Sequence, residues 1–409
     1  MKTIDKTIVD FTAPQLPPPN SLIFLLACAC GLIVANLYYA QPLIGLIAPD
    51  IHLTTTVSGL IVTLTQIGYC LGLLLLVPLS DLLENRKLFL FIMSGGVLTL
   101  VIAAFSKSVH VFLFSCFLIG FGSISAQILV LIVAHMTPIE FRGRVVGKVM
   151  SGLFIGIMLS RPISSFIAAS FGWRFVYILS SVIMVILIGM MWRLLPSRIP
   201  KVQHNYYELI GSLWYLLRDT SELRRRAAYQ ATLFASFSLF WTAVPLILAS
   251  PRFNLNQNDI GLFSLVGVAG AVAGPIAGWL ADQGKSHLMT GLSITMVFFS
   301  FLLAWFGGIN SLGVLLVSAV LLDFGVQANL VVGQRVIFSL GEHIRGRLNA
   351  LFIALFFLGG AVGSASASIS YVYGGWPLVC MVGIIFPLLS LLLYKTERVN
   401  NDQQNGWLD

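Results

Sequence analysis

Two short basic stretches organise the chain: Glu140-Phe141-Arg142-Gly143-Arg144 and Glu342-His343-Ile344-Arg345-Gly346-Arg347. Both stand among mostly apolar residues, and their Arg-Gly-Arg triplets lie 203 residues apart. The same offset relates further pairs along the chain: Gly172-Trp173 and Gly375-Trp376, Phe121-Gly122 and Phe324-Gly325, Pro42 and Pro245, Tyr38 and Trp241. A long offset kept over most of the chain predicts two copies of one architectural unit rather than a short-period solenoid.

The composition is that of a membrane protein. Of the 409 residues, 57% are hydrophobic and only 10% are charged, with a mean hydropathy of +0.92, whereas soluble domains carry about 25% charged residues. The net charge of +8 is then explained by lysine and arginine on the inner side of a membrane, so no nucleic-acid partner is expected. The five cysteines lie in apolar runs without metal-ligand spacing, which predicts neither a metal site nor a cofactor.

Twelve segments are long and apolar enough to cross a bilayer, since a spanning helix needs about 20 apolar residues. They fall six to a repeat, at 21–47, 55–80, 87–106, 110–136, 144–171 and 174–195, then 227–249, 258–281, 287–307, 311–339, 346–372 and 376–394. The predicted fold is an all-α polytopic membrane protein of twelve helices in two pseudo-symmetric six-helix bundles. Its parts are a tail at 1–20, bundles at 21–195 and 227–395, a linker at 196–226 and a tail at 396–409.

Lysine and arginine fix the orientation. With both termini in the cytoplasm, the outer segments hold only Lys107, Arg174 and Arg252, as the positive-inside rule requires. The inner segments then hold the basic middle loop and the following residues: Arg86, Lys87, Arg142, Arg144, Lys148, Lys285, Arg345, Arg347, Lys395 and Arg398. The location that we expect is a bacterial cytoplasmic membrane.

Small residues and amphipathic spacing mark further helices. In the linker, apolar residues between Tyr206 and Leu217 recur at helical spacing, which predicts an amphipathic helix on the inner leaflet that tethers the halves. Glycines four residues apart let helix backbones approach closely, and we expect them to mark the seam along which the halves rock. They occur in spans 2, 5, 8 and 11: Gly68 and Gly72, Gly152 and Gly156, Gly270, Gly274 and Gly278, Gly359 and Gly363.

Several motifs resemble those of the major facilitator superfamily. That family's loop motif is Gly-x-Leu-Ala-Asp-x-x-Gly-Arg-Lys, and the chain has Val77-Pro78-Leu79-Ser80-Asp81 after span 2 and Gly278-Trp279-Leu280-Ala281-Asp282 after span 8. The stretches Asn36 to Pro42 and Arg142 to Gly147 are similar to the bacterial branch of drug or arabinose efflux permeases. The resemblance covers essentially the whole chain and implies secondary transport.

The chain departs from that pattern at four places. The first loop copy lacks both glycines, and Cys116 stands where many proton-coupled exporters have an arginine in span 4. Many of those exporters also have an acidic residue in span 1, and here the nearest polar residue is Asn36. In span 5, Ser160-Arg161-Pro162 stands where a Gly-Pro pair is expected. The family's usual proton-coupling residues therefore do not carry over.

Charged residues inside spans are costly and are functional candidates by default. Asp323 is the one acidic residue deep in a predicted span, Arg161 is the deepest basic residue, and Arg335 lies nearer the inner end of span 10. Asp323 and Arg161 are the proton-coupling candidates, and Asp323 shares a helix face with Gln327 and Gln334. The alternatives are a polar network that only fixes packing for Asp323, and a clamp on a neighbouring backbone for Arg161.

The resemblance also implies a cavity and a latch. Spans 1 and 7 would contribute to the cavity, with these candidate residues: Asn36, Tyr39, Gln127, Ser238, Trp241 and Gln327. In the family, the loop aspartate holds the inner side shut against a facing helix end and nearby arginines. The latch residues carried over are Asp81, Asp282, Arg142, Arg144, Arg345 and Arg347.

The function predicted from these patterns is proton-coupled export of a small organic molecule, a drug-like compound or a sugar, by alternating access in a monomer. Two alternatives stay open: a metabolite or sugar facilitator or symporter of the same fold, and a membrane receptor or scaffold without flux. An enzyme is not expected, because the histidines are scattered and no phosphate-cradling glycine loop with a lysine is present.

Overall fold

The structure, a computed structural model, describes residues 17–197, 199, 205–341 and 344–397, and every regular element in them is helical. Most of the predicted N-terminal tail, residues 398–409 and the pair Glu342-His343 lie outside the described residues. We number the spans in chain order. The first half comprises span 1 (Asn20–Ala35 and Ile44–Asp50), span 2 (Leu60–Leu75), span 3 (Asn85–Phe105), span 4 (Val109–Gly122 and Ser125–His135), span 5 (Ile139–Phe171) and span 6 (Trp173–Leu194).

The second half repeats this plan after a linker helix, Tyr206–Asp219. Its members are span 7 (Ser221–Leu248), span 8 (Gln257–Ser264 and Gly270–Asp282, joined by the 3-10 turn Leu265–Ala269), span 9 (Ser286–Phe306), span 10 (Leu312–Ser339), and spans 11 and 12 within Arg345–Lys395. That last helix of 51 residues changes direction at Gly375, where φ is 60° and ψ is −158°. The left-handed φ suits a glycine, since other residues are strained there.

The predicted twelve-helix, two-bundle fold is confirmed. In the described residues, ten helices are long and apolar enough to cross a membrane. One of them contains spans 11 and 12, and the shorter apolar helix Asn20–Ala35 forms most of span 1. The largest shift in a boundary is at span 7, which begins at Ser221 rather than 227. The basic run Arg224-Arg225-Arg226 is therefore helical instead of belonging to a loop.

Span 1 is not a continuous helix. Regular α-helix ends at Ala35, a turn follows, and the 3-10 segment Gln41–Leu43 leads into the second part. Pro42 lies inside that 3-10 segment, and a proline cannot donate the backbone hydrogen bond that a continuing helix needs. Residues 36–40 therefore do not follow the 100° rotation per residue of an α-helix.

The linker helix contacts both halves. Its apolar side is buried at Leu209 and Leu213, while Trp214 is 65% exposed. The Tyr206 hydroxyl donates to the backbone oxygen of Leu75 in span 2, at 3.0 Å. Towards the other half, Arg347 at the start of span 11 donates to the Ser212 hydroxyl at 2.9 Å. We call the membrane face that carries this helix the linker face, and the other the distal face.

Glycine pairs in three spans pack within their own half, so the expectation that they form the seam between halves is wrong. A Cβ on Gly363 would lie 2.0 Å from the backbone oxygen of Ala235 in span 7, and one on Gly156 would lie 2.2 Å from that of Gly31 in span 1. Such contacts need glycine, and they join helices of the same half. The close contacts are Gly68 and Gly72 with Phe117 and Phe121, Gly152 and Gly156 with Ala27 and Gly31, Gly359 and Gly363 with Ala231 and Ala235.

The glycines of span 8 near the linker face are different. A Cβ on Gly274 or Gly278 would meet only Val331 of span 10, at 3.8 and 4.0 Å. These distances are ordinary van der Waals contact. Span 8 therefore has room for a side chain at these two positions, unlike the glycine pairs of spans 2, 5 and 11.

The two halves are held together near the distal face by hydrogen bonds between small polar side chains. Ser58 pairs with Ser368 at 3.1 Å, and Thr63 pairs with Ser364 at 2.8 Å, joining spans 2 and 11. Gln257 at the start of span 8 donates to Ser165 of span 5 and to the backbone oxygen of Pro42, both at 3.0 Å. These contacts close the distal side of the seam.

Candidate functional site

A cavity lies between the halves, in the middle of the bundle and towards the linker face. It contains about 760 Å³ of atom-free space, part of which is continuous with solvent. Spans 1, 2, 4 and 5 line it from the first half and spans 7, 8, 10 and 11 from the second. Its lining runs from Tyr38, Arg161 and Asp323 at the closed end to Met150 and Gln334, which lie three helical turns nearer the linker face. The chain is thus closed distally and hollow towards the linker face.

Arg161 of span 5 and Asp323 of span 10 meet at the closed end, so the two candidates chosen from sequence form a pair across the halves. Nη2 of Arg161 lies 3.7 Å from Oδ2 of Asp323, and the side chains are only 1% and 5% exposed. This separation is an ion pair but exceeds hydrogen-bond distance. Among the described residues that line the cavity, Asp323 is the only carboxylate and Arg161 the only arginine or lysine.

Trp241 of span 7 holds both members of the pair. Its Nε1–H donates to Oδ1 of Asp323 at 2.8 Å, and its ring lies 3.8 Å from the Arg161 guanidinium carbon. Phe237, one turn earlier, presents its ring at 5.1 Å. A cation over an aromatic ring is attracted by the ring quadrupole, by about 2 kcal/mol when desolvated. The two aromatic rings thus hold the guanidinium of Arg161 beside Asp323.

Span 8 passes close to the pair because it has no side chain at Gly267. A Cβ there would lie 2.8 Å from Oδ2 of Asp323 and 3.1 Å from Nη2 of Arg161. A Cβ on Gly270, one turn on, would lie 3.3 Å from the Cβ of Asp323. These glycines let the backbone cover the ion pair without separating it.

Amides and phenols supply the other polar groups of the cavity. Gln127 donates to the Tyr69 hydroxyl at 3.3 Å, and Gln327 lines the wall one turn from Asp323. Gln230 of span 7 accepts from Asn329 of span 10 at 2.7 Å. The remaining wall is apolar and aromatic, formed chiefly by these side chains: Met150, Phe154, Met158, Phe234, Phe356 and Phe357.

Of the predicted cavity residues, Gln127 and Gln327 line the cavity and Asn36 and Tyr39 do not. The Asn36 amide accepts from Ser180 of span 6 at 2.6 Å and donates to the backbone of Ile33, inside the first bundle. The helical turn breaks after residue 35, so the face predicted from regular spacing is rotated. Tyr38 therefore takes the lining position.

The two predicted residues of span 7 also lie outside the lining. The Ser238 hydroxyl is fully buried and accepts from Gln66 of span 2 at 2.8 Å, so it belongs to the seam between the halves. Trp241 is 1% exposed and lies behind the charged pair. Its role in the site is therefore to hold Asp323 and Arg161 rather than to form the wall.

The residues predicted to form the latch lie at the linker face. Asp282 forms an ion pair with Arg335 of span 10, within its own half. Asp81 ends a 3-10 turn, Pro78–Asp81, and Arg142 and Arg144 are exposed at the start of span 5. In the loop after Asp81, hydrogen bonds from Lys87 and Ser197 hold the pKa of Glu84 below its usual value. Arg345 donates to the backbone oxygen of Phe338.

Sequence reasoning missed Tyr38, Tyr69 and Gln230. The repeat offset pairs Tyr38 with Trp241, and both residues lie at the closed end of the cavity or against its ion pair. That symmetry was a usable signal. Gln230 could have been chosen on the same ground as Asp323, because a polar side chain inside a span is costly unless it has a partner.

Comparison with known proteins agrees with this architecture. The sequence profile described as Major Facilitator Superfamily matches residues 23–229 and 227–408. The chain belongs to that superfamily. An uncharacterized transporter, YgaY, of Escherichia coli O157:H7 is 39% identical over 386 residues, covering 94% of this chain and 97% of YgaY.

Solved structures of the superfamily have the same fold at low identity. The nucleoside transporter NupG superposes with a TM-score of 0.71 at 14% identity, covering 91% of this chain and 98% of NupG. A D-xylose-proton symporter gives a TM-score of 0.71 at 15% identity, covering 92% and 97% of the two chains. At such identities the likeness shows the fold alone. The protein is therefore a multi-pass membrane protein of a transporter superfamily.

Proposed function

We propose that the protein is a secondary transporter that couples proton movement to the passage of a small organic molecule through the central cavity. The observation that carries the proposal is the buried Arg161–Asp323 pair, which lines the cavity and joins the two halves. A carboxylate inside a membrane is a group that can bind and release a proton. Asp323 is the proposed proton carrier, and Arg161 is its counter-charge.

Movement of the halves would change this pair directly. Arg161 lies in the first half and Asp323 in the second, so rocking about the seam alters the distance between them. When the guanidinium is close, it favours the ionised carboxylate; when it withdraws, the carboxyl is left to hold a proton. The distal hydrogen bonds between spans 2 and 11 would break as the cavity opens on that side.

The latch residues would close the linker face in the opposite conformation. In the present conformation Asp282 is paired with Arg335 of its own half. We propose that Asp282 and Asp81 contact facing helix ends and the Arg142 and Arg345 triplets when that face shuts, because a helix N-terminus favours an anion by about 0.3–1 kcal/mol. Asp81→Asn would then slow transport without unfolding the protein.

The linker face is proposed to be cytoplasmic, in a bacterial cytoplasmic membrane and in a monomer. The support is the concentration of lysine and arginine on that face. The present conformation would then be open to the cytoplasm.

Two directions of coupling are carried forward. The resemblance of the Asn36 to Pro42 stretch to efflux permeases favours export in exchange for protons. Co-transport with a proton is the second candidate, favoured by the incompletely bonded Arg161 guanidinium at the site. The two differ in which pH gradient drives accumulation.

The test is flux of a substrate found by a resistance and growth screen on a deletion strain. The purified protein is placed in proteoliposomes, and a pH gradient of either sign is imposed. Accumulation driven by one sign of gradient, and abolished by a protonophore, is expected. A substrate that only equilibrates would indicate a facilitator, and ligand binding without flux would indicate a receptor; either result overturns proton coupling.

A further inference from the structure

We infer that the transported molecule carries an anionic group, and that this group binds the Arg161 guanidinium while Asp323 carries a proton. The inference rests on the proposed function, since it assigns the substrate class of the same cavity. It also selects co-transport over exchange, because proton and substrate would then occupy the site together.

The first argument is that Arg161 is buried with unused hydrogen-bond donors. A guanidinium has five N–H donors, yet Nε and Nη1 are buried without a hydrogen-bond partner among the described residues. The nearest carboxylate oxygen is 3.7 Å from Nη2, which is too long for a hydrogen bond. A buried charge with unsatisfied donors is costly. An anionic ligand entering through the cavity would satisfy these donors.

The second argument is that Asp323 has a partner that does not depend on Arg161. The Trp241 N–H donates to Oδ1 at 2.8 Å, and it can do so whether the carboxyl is ionised or protonated. Protonation of Asp323 would therefore remove the charge facing Arg161 while leaving this hydrogen bond in place. The guanidinium would keep its contacts with the Trp241 and Phe237 rings as well.

The third argument is the charge of the cavity. With Asp323 ionised, the two charges of the cavity cancel; with Asp323 protonated, the cavity carries one positive charge and matches one anionic group. Tyr38 and Tyr69 are the other titratable side chains among the described lining residues, and tyrosine is uncharged near neutral pH. A cationic substrate would instead lie against the buried guanidinium, at a repulsive cost.

The rest of the cavity suits an organic body attached to that group. Phenylalanine, methionine and aliphatic side chains together form most of the wall, and Gln127, Gln230 and Gln327 supply hydrogen-bond donors and acceptors. Apolar walls with a few placed polar groups are the usual form of small-molecule sites. The substrate class is therefore a small carboxylate or similar anion with an apolar or aromatic part.

Binding measured without transport tests the inference. The full chain in lipid nanodiscs is screened by thermal shift against a set of aromatic and aliphatic scaffolds, each supplied as carboxylate, sulfonate, primary amide and amine. The anionic members are expected to bind more tightly than their amides and amines. A sulfonate keeps its negative charge over this pH range, so any change in its binding with pH reports on the protein. In the pH range where Asp323 takes up its proton, the dissociation constant of the sulfonate should decrease by up to about tenfold for each pH unit of acidification.

Two variants assign the effect to the pair. Arg161→Gln should weaken sulfonate binding by about 10–100-fold, as expected for lost hydrogen bonds to a charged group. The double variant Arg161→Gln with Asp323→Asn is measured as well, because Arg161→Gln alone leaves the buried Asp323 carboxylate without its counter-charge. Asp323→Asn alone should bind the sulfonate tightly and independently of pH. Arg252→Gln, an exposed arginine near the distal face, is the control and should bind as wild type does.

The outcomes separate the two proposals. Amides or amines that bind better than their anions, no binding of any anion, or sulfonate binding unaffected by Arg161→Gln, would overturn the anionic substrate. Proton-driven flux of a neutral or cationic compound would then leave the proposed function standing. Conversely, anion binding through Arg161 together with flux indifferent to the pH gradient would support the substrate class and refute proton coupling.

Discussion

Gly267 allows the separation between Arg161 and Asp323 to be changed without removing either charge. In Gly267→Ala, the new methyl would lie 2.8 Å from Oδ2 of Asp323, whereas ordinary contact begins near about 3.5 Å. The carboxylate must withdraw by about 0.7 Å. The guanidinium, whose Nη2 would lie 3.1 Å from the methyl, must withdraw by about 0.4 Å. With both groups moved straight back from the methyl, the pair, 3.7 Å apart in the structure, would be separated by about 4.4 Å.

The expected energy follows from Coulomb's law. At an effective dielectric constant of about 20, this lengthening weakens the attraction by about 0.7 kcal/mol. If the hydrogen bond from Trp241 is also strained, up to about 1.5 kcal/mol more is lost. Both changes disfavour the ionised carboxylate more than the protonated one, because a hydrogen bond to an ionised acceptor is the stronger of the two. The pH of half-maximal transport should therefore rise by about 0.5–1.6 units, at about 1.4 kcal/mol per unit.

The assay is the pH profile of substrate flux in proteoliposomes, with Gly274→Ala as the matched control. Gly274 lies in the same span, and a Cβ there would meet only Val331, at 3.8 Å. The control should keep the wild-type profile and melting temperature. If Gly267→Ala has the wild-type profile, or if the control shifts equally, the distance between Arg161 and Asp323 does not set the pH dependence.

Three further predictions follow from the packing and orientation. Gly363→Ala should overpack against span 7, lower the unfolding free energy by about 1–3 kcal/mol or more, and so lower the melting temperature. Gly278→Ala, whose methyl would make only an ordinary contact with Val331, should not. Equal melting temperatures would contradict the packing described. Single cysteines at Ser197 and Asn258 should be labelled from inside and outside respectively, and the reverse pattern in intact cells would invert the proposed orientation. Asn258 is chosen rather than Asn256 because the Asn256 side chain caps the helix that begins span 8. Trp241→Phe keeps the ring under Arg161 but removes the donor to Asp323, so it should raise the pH of half-maximal transport, and an unchanged pH profile would show that this hydrogen bond is not part of the coupling.

The helix count and the two-bundle plan could be predicted because run length and repetition are properties of the chain itself. Runs of about 20 apolar residues mark spans, and the 203-residue offset between the Arg142 and Arg345 triplets marks the repeat. The glycine pairs show the limit of such patterns. The spacing of Gly359 and Gly363 indicates a face that another backbone approaches, but it does not say which helix approaches, and the partner proved to be span 7.

The candidate site was predictable where chemistry alone marks a residue. Asp323 and Arg161 stood out because charges inside spans are rare. Their contact did not follow from sequence, since it depends on how helices of different halves are rotated towards each other. The prediction placed Asn36 and Tyr39 in the cavity wall because it continued regular helical spacing through the turn after Ala35. Nothing in the sequence indicates that Gly267 lies against the ion pair.

The central claim is that Asp323 carries the coupling proton, and one comparison tests it most directly. Wild type and Asp323→Asn are assayed in proteoliposomes for accumulation driven by a pH gradient and for exchange of labelled substrate at equal pH. Loss of accumulation with exchange retained is predicted, because the amide keeps the shape of the site but cannot bind or release a proton. Accumulation against a gradient by Asp323→Asn would contradict the claim and would leave Asp323 as part of a packing network.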